Sequence, residues 1–172
     1  MSKSKIEWTD ETWNPVVGCS IVSPGCHNCY AMAHAARLEH KIGNTKYAGT
    51  TTKDGRWTGL VSHFEDALMI PLRRKKPTVY FVNSMSDLFH PSVPEIFIDR
   101  VYAAMFLADQ HFFQILTKRA ERMQEYLSAP HREERVYEAI EWLADRAGIA
   151  DYLFDGLPLP GVALGVSIVT GK

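Results

Sequence analysis

No run of about 18 apolar residues occurs in the chain, so no membrane-spanning helix is encoded. Residues 1–15 carry lysines with no apolar core behind them, so they do not read as a secretory signal. Neither charge sign is in excess: 19 Lys and Arg face 20 Asp and Glu, a net charge of -1. That balance excludes a chain built throughout as a polycation for nucleic acid. The distribution is only mildly uneven, 11 basic against 8 acidic residues over 1–90 and 8 against 12 over 91–172. There is no internal repeat, low-complexity tract or Ser/Gly-rich linker, and 172 residues suit one domain spanning 1–172. With 46% hydrophobic and 23% charged residues, the composition is that of a soluble globular protein, not a disordered, collagenous or coiled-coil one.

Cysteine is also scarce. The count is three, an odd number without an export signal, which argues against a disulfide framework and for a cytoplasmic protein. All three fall within eleven residues, as Cys19, Cys26 and Cys29. Cysteines used only for packing would be scattered, so this cluster is where chemistry is expected.

What is present alternates. Thr12 to Gly18 reads as a short strand running into a turn and then the cysteine loop. Tyr30 to Lys41 is rich in helix formers, with Gly43 as a stop. Residues 43–59 are loop-like, and a short helix is expected from Phe64 to Met69, ending near Pro71. Thr78 to Val82 and Phe112 to Leu116 are apolar, β-rich runs that predict buried strands, and Val162 to Ile168 predicts another. Helices are expected over Pro94 to Ala108, Arg119 to Leu127 and His131 to Ala147, the last closed by Gly148. Strands separated by helices predict an α/β fold of right-handed βαβ units with a parallel sheet. Ligands of such sheets bind beyond the carboxyl ends of the strands. Those ends are expected at Gly18-Cys19, at Asn83 to Asp87, at Thr117 to Arg119, and at Ser167. Every polar or thiol candidate therefore falls at one edge.

The cysteine motif is Cys19-x6-Cys26-x2-Cys29. Thiolates are soft ligands suited to zinc or to iron–sulfur clusters. A structural zinc site needs four protein ligands, usually as two pairs, and only one close pair is present. His27, His34 or His40 could supply a fourth ligand, so a Cys3His zinc site in a structural or interaction domain is one alternative. A [4Fe–4S] cluster on three thiolates instead leaves one iron open to a cofactor such as S-adenosylmethionine. The loop also leads into the helix expected from Tyr30, whose amino end offers unpaired N–H groups to an anionic cluster.

The stretch Trp13-Asn14-Pro15-Val16-Val17-Gly18-Cys19, followed by Gly25-Cys26-His27-Asn28-Cys29-Tyr30-Ala31, resembles a signature of radical S-adenosylmethionine enzymes of the spore-photoproduct-lyase-like branch. More closely, the chain resembles a three-cysteine-motif family, borne by phages and bacteria, of unassigned function. The segments WNPVVGC, CHNCYA, FVNSMSDLFH and FQILTKR carry that likeness, which runs from about Trp8 to the last strand. The sequence departs from the usual C-x3-C-x2-C spacing, and Asn28 stands where an aromatic residue usually precedes the last cysteine. The resemblance implies a partial (β/α)6 barrel, of which about four βα units are expected here: an incomplete parallel (β/α) barrel, truncated after the fourth strand. Where the family continues its fourth strand with Glu-Asn, this chain has Ile168 and Val169.

The resemblance implies that Cys19, Cys26 and Cys29 bind a [4Fe–4S] cluster and that S-adenosylmethionine binds beside it. Reductive cleavage would then yield methionine and a 5′-deoxyadenosyl radical that abstracts hydrogen from a substrate. Ser84 and Ser86 are expected to meet the cofactor's amino group. Asp87 is expected either to do the same or to cap the next helix. Lys118 would meet the cofactor's carboxylate, and Tyr30 and Ser167 complete the expected contacts. Arg119 and Arg122 read as surface pairs, His90 as a proton donor or a turn residue, and Trp57 and Trp142 as packing residues. Gln114 is expected to point into the barrel. The basic run Arg73-Arg74-Lys75-Lys76 reads as a solvated loop or a phosphate contact. Expected partners are an electron donor such as flavodoxin or ferredoxin, a nucleic-acid substrate, and a protein that completes the barrel. A membrane is not among them. A non-catalytic fragment is the remaining alternative.

Overall fold

The computed structural model describes residues 6–167. Its sheet has four strands: β1 (Glu11–Trp13), β4 (Val79–Val82), β5 (Phe112–Thr117) and β6 (Val162–Val166). They pair in the order β1-β4-β5-β6, and every pairing is parallel. A separate two-stranded antiparallel ribbon joins β2 (Val16–Val17) to β3 (Ser62–His63). The helices are α1 (Tyr30–Ala36), α2 (Met69–Arg73), α3 (Glu95–Leu107), α4 (Ala120–Ser128) and α5 (Arg132–Ala147).

Each new strand is added on the same side of its predecessor, with no reversal of order. The helices accordingly gather on one face. Tyr80, Val82, Phe113 and Ile115 on that face form one core with Phe97, Ile98, Val101 and Met105 of α3 and Val136, Ile140 and Leu143 of α5. α3 is buried almost all round, packed against α5 and α2 and joined to the core of the sheet. α5 instead buries a stripe at helical spacing and shows a charged face to water. On the opposite face of β5, Phe112 and Leu116 are 40% and 38% exposed, so among the described residues no helix layer covers it. The fold is thus α/β with a singly wound parallel sheet, and β1 and β6 are its outer strands among the described residues.

Most expected elements form within a residue or two of their expected ends. Three differ. The expected first strand is divided, because Asn14 and Pro15 break the chain between β1 and β2. The helix from Tyr30 keeps regular geometry only to Ala36 and then widens by one π-type turn over Arg37–Lys41. Pro71 does not end a helix: a 3-10 turn at Glu65–Leu68 leads into α2, and Pro71 sits in its first turn, where a missing N–H is harmless. Ile168, the expected end of the last strand, lies outside the described residues, as do the four residues after it.

Candidate iron–sulfur and cofactor site

The carboxyl edge of the sheet is assembled by side chains that tie neighbouring loops together. Trp13 is buried and donates its indole N–H to the Ala67 carbonyl at 2.8 Å, which fixes the end of β1. Asn14 Oδ1 then accepts from the Ser84 hydroxyl and the Met85 amide, both at 3.1 Å. Asn83, in the left-handed region at φ 59°, accepts the Val16 amide through Oδ1 at 3.2 Å. Ser86 donates to the Val16 carbonyl at 2.8 Å. The loop after β4 is thereby laced to the segment that leads into the cysteines.

Beyond Gly18 the chain forms neither helix nor strand until a short 3-10 turn at Pro24–Cys26, and Cys29 stands at the start of α1. All three cysteines line one cavity of about 360 Å³. So do Tyr30, Ser84, Ser86, Asp87, Lys118 and Ser167, so the residues expected to contact the cofactor reach the same space as the cysteines, whereas His90 and Gln114 do not. No disulfide forms among the cysteines. Phe81, Leu116, Ala31, Trp8 and Trp57 supply apolar wall. Of these, Trp57, expected as a packing residue, joins a small core with Val17, Ala35 and Tyr47 and also borders the cavity.

The polar groups divide by what they already hold. Ser84 and Ser86 spend their hydroxyl protons within the fold and keep oxygen lone pairs as acceptors. One of the three N–H donors of Lys118 reaches Ser167 Oγ at 2.6 Å. The Tyr30 hydroxyl donates to the Ser84 carbonyl at 3.1 Å, and burial pushes this phenol up. Asp87 is saturated: Oδ1 accepts from the Phe89 amide (3.0 Å) and the Thr117 hydroxyl (2.7 Å), and Oδ2 from the Lys118 amide (3.2 Å) and Arg119 (3.0 Å). It caps its own turn and also braces β4 against β5. Asn83 Nδ2 is buried at the cavity without a partner among the described residues.

Two arginines overturn the expectation of surface pairs. The Arg119 side chain is 8% exposed and ion-paired with Asp87. It also donates to the Ser20 carbonyl and hydroxyl, and its Nη1 lies 3.8 Å from Cys19 Sγ. Arg122 clamps the carbonyls of His90 and Val93. His90 is a turn residue: Nδ1 accepts the Ser92 amide, which leaves the proton of the neutral ring on Nε2, 2.8 Å from Ser20 Oγ. Burial first, then the nearby guanidiniums, lowers His90 to about 4.

The thiols sit in unlike surroundings. Burial pushes Cys19 up, against the pull of Arg119. Burial also acts upward on Cys26, but hydrogen bonds from Val22 and Ser23 and the charge of Lys118 hold it below its ordinary value. A tetrahedral zinc ion would bring thiolate sulfurs within about 3.8 Å of one another. Among the described residues no three His, Cys, Asp or Glu side chains converge on a single-ion position. His27, His34 and His40 do not line the cavity. Three soft thiol donors line one space, with Arg119 beside Cys19 and the charge of Lys118 acting on Cys26, a donor chemistry suited to a thiolate-bound metal centre.

The basic run at 73–76 precedes β4 and so lies at the opposite, amino edge of the sheet. Arg74 there is tied to Glu11 and Thr78. Among the described residues no helix is long and apolar enough to cross a membrane.

No curated protein and no solved structure matches the chain. One family model does, over residues 3–172, and on that match the chain belongs to the family described as "Protein of unknown function (DUF5131)".

Proposed function

We propose that this chain is an iron–sulfur protein of the radical S-adenosylmethionine type, built on an incomplete parallel (β/α) barrel. The observation that supports it is the convergence of Cys19, Cys26 and Cys29 with Ser84, Ser86, Lys118 and Ser167 on one cavity at the carboxyl edge of a parallel sheet. Cys19, Cys26 and Cys29 would hold a [4Fe–4S] cluster, and an S-adenosylmethionine bound there would supply, on reduction, a 5′-deoxyadenosyl radical for hydrogen abstraction.

The chain's own residues bind and orient. The oxygens of Ser84 and Ser86 are acceptors suited to the cofactor's ammonium group, and Lys118, steadied by Ser167, is the cation suited to its carboxylate. Tyr30 braces the cysteine helix against the Ser84 loop. Asp87 contributes by holding Arg119 and the end of β5 in place. Phe81, Leu116 and Ala31 supply apolar wall on one side. The uncovered face of the sheet and its outer strand β6 are where a protein completing the barrel would sit, and the electron would come from a donor such as flavodoxin or ferredoxin. A nucleic acid is the proposed substrate class, resting on the likeness of the cysteine motif alone.

Anaerobic reconstitution tests the reading. About four iron and four sulfide per chain in brown protein are expected, with iron retention lost on Cys19→Ala, Cys26→Ala or Cys29→Ala. One tightly bound zinc in colourless protein would overturn it. Release of 5′-deoxyadenosine on adding reductant and S-adenosylmethionine is the second expectation. A loaded cluster with no release would identify a non-catalytic fragment.

A further inference from the structure

We propose that Arg119 is the positioning residue of the Cys19 arm, fixing that thiolate in place and supplying a positive charge beside it. This deepens the cluster reading and rests on it for the role of the charge. The three cysteines are not held alike. Cys26 and Cys29 belong to a hydrogen-bonded turn and the start of α1, with Cys26 N–H on the Ser23 carbonyl (2.9 Å) and Cys29 N–H on the Cys26 carbonyl (3.2 Å). Cys19 lies seven residues earlier, in a segment from Cys19 to Val22 that is neither helix nor strand. What ties that segment to the body of the fold is Ser20, and Ser20 is gripped chiefly by Arg119.

The grip is a fork. Arg119 Nη2 donates to the Ser20 carbonyl (3.2 Å) and hydroxyl (2.9 Å), while Nη1 donates to Asp87 (3.0 Å) and points at Cys19 Sγ (3.8 Å). His90 holds the same Ser20 hydroxyl from the far side at 2.8 Å. Asp87 is itself pinned by Thr117 and by the Lys118 amide, so the guanidinium cannot swing away. A planar guanidinium serves here and a lysine would not, because three acceptors in different directions need fixed N–H vectors. Buried beside a sulfur that would carry an anionic cluster, the charge also favours the reduced, more negative state.

Two variants separate geometry from charge. Arg119→Lys keeps the charge and loses the fork; Arg119→Gln loses both. In cluster-free protein, cleavage by thermolysin before Ile21 or Val22 is expected to rise several-fold in both variants, relative to cleavage elsewhere. An unchanged rate in folded Arg119→Gln overturns the positioning role. Should that variant fail to fold, Ser20→Ala removes one acceptor of the fork and is expected to raise the same cleavage; no rise there overturns the role equally. In reconstituted protein the cluster's midpoint potential is expected to fall in Arg119→Gln and to stay nearer wild type in Arg119→Lys. Equal potentials in all three overturn the charge role. A wild-type protein that takes up no cluster removes the charge role together with the cluster reading, and the thermolysin comparison then decides the positioning role by itself.

Discussion

Asp87 and Arg119 show how much one buried pair can organise. Both side chains are buried, and the pair links the segment after β2 with the loops after β4 and β5. Removing one partner leaves the other charge desolvated and unpaired, which typically costs about 3–5 kcal/mol. Asp87→Ala is therefore expected to lower the unfolding free energy by about that amount in urea titrations, whereas loss of a mere cap would cost about 1 kcal/mol. His90 adds a pH dependence of known sign. Its folded value of about 4 lies below the ordinary 6.5, so between those values the unfolded chain binds up to one proton more. Stability from this residue is constant above about pH 6.5 and falls as pH drops towards 4. His90→Gln should flatten that part of the profile, read as urea midpoints from pH 7 to 5; parallel profiles would contradict it. The places of Asp87 and Arg119 are not legible in the sequence: an aspartate before a helix reads equally as a cap or a cofactor contact, and an arginine after a strand carries no pattern that says what lies across from it.

At the scale of elements, the segment Trp13 to Cys19 joins the sheet to the cysteine loop and is pinned to the loop after β4. Gly18 takes φ 86°, and a Cβ there would lie 2.1 Å from the Leu60 carbonyl oxygen. Gly18→Ala combines strain with a backbone clash. It is expected to destabilise by more than about 1 kcal/mol and to lower iron uptake at the adjacent Cys19, measured by thermal melting and iron content after reconstitution. The strands and longer helices were legible from their periodicity, since β-branched runs and 3.6-residue apolar stripes are local signals. The break at Asn14-Pro15 and the π-type turn after Ala36 were not. The first depends on Asn14 finding the Ser84 loop, some 70 residues away in sequence.

For the molecule as a whole, burial grades across the sheet. β4 is central, with Tyr80 and Val82 fully buried, while β6 is an outer strand whose Leu164 and Val166 are partly open to solvent. Amide exchange in native conditions should be slowest in β4 and markedly faster in β6, resolved by peptide mass spectrometry; equal protection would mean that β6 is covered by another copy or partner. The exposed face of the sheet continues into the wall of the cysteine cavity, because Leu116 and Trp8 line both.

The sequence by itself determined the α/β class, the positions of the strands along the chain and the gathering of Cys19, Cys26, Cys29, Ser84, Ser86, Lys118 and Ser167 at one edge. Periodicity marks strands, and parallel strands put every carboxyl end on the same side. Only the tertiary structure decided which of these residues are already spent on the fold and which remain available: Asp87 saturated, the serine oxygens still able to accept, Arg119 buried against Cys19. Those distinctions depend on side chains meeting across tens of residues, where burial and competing hydrogen-bond partners set the outcome.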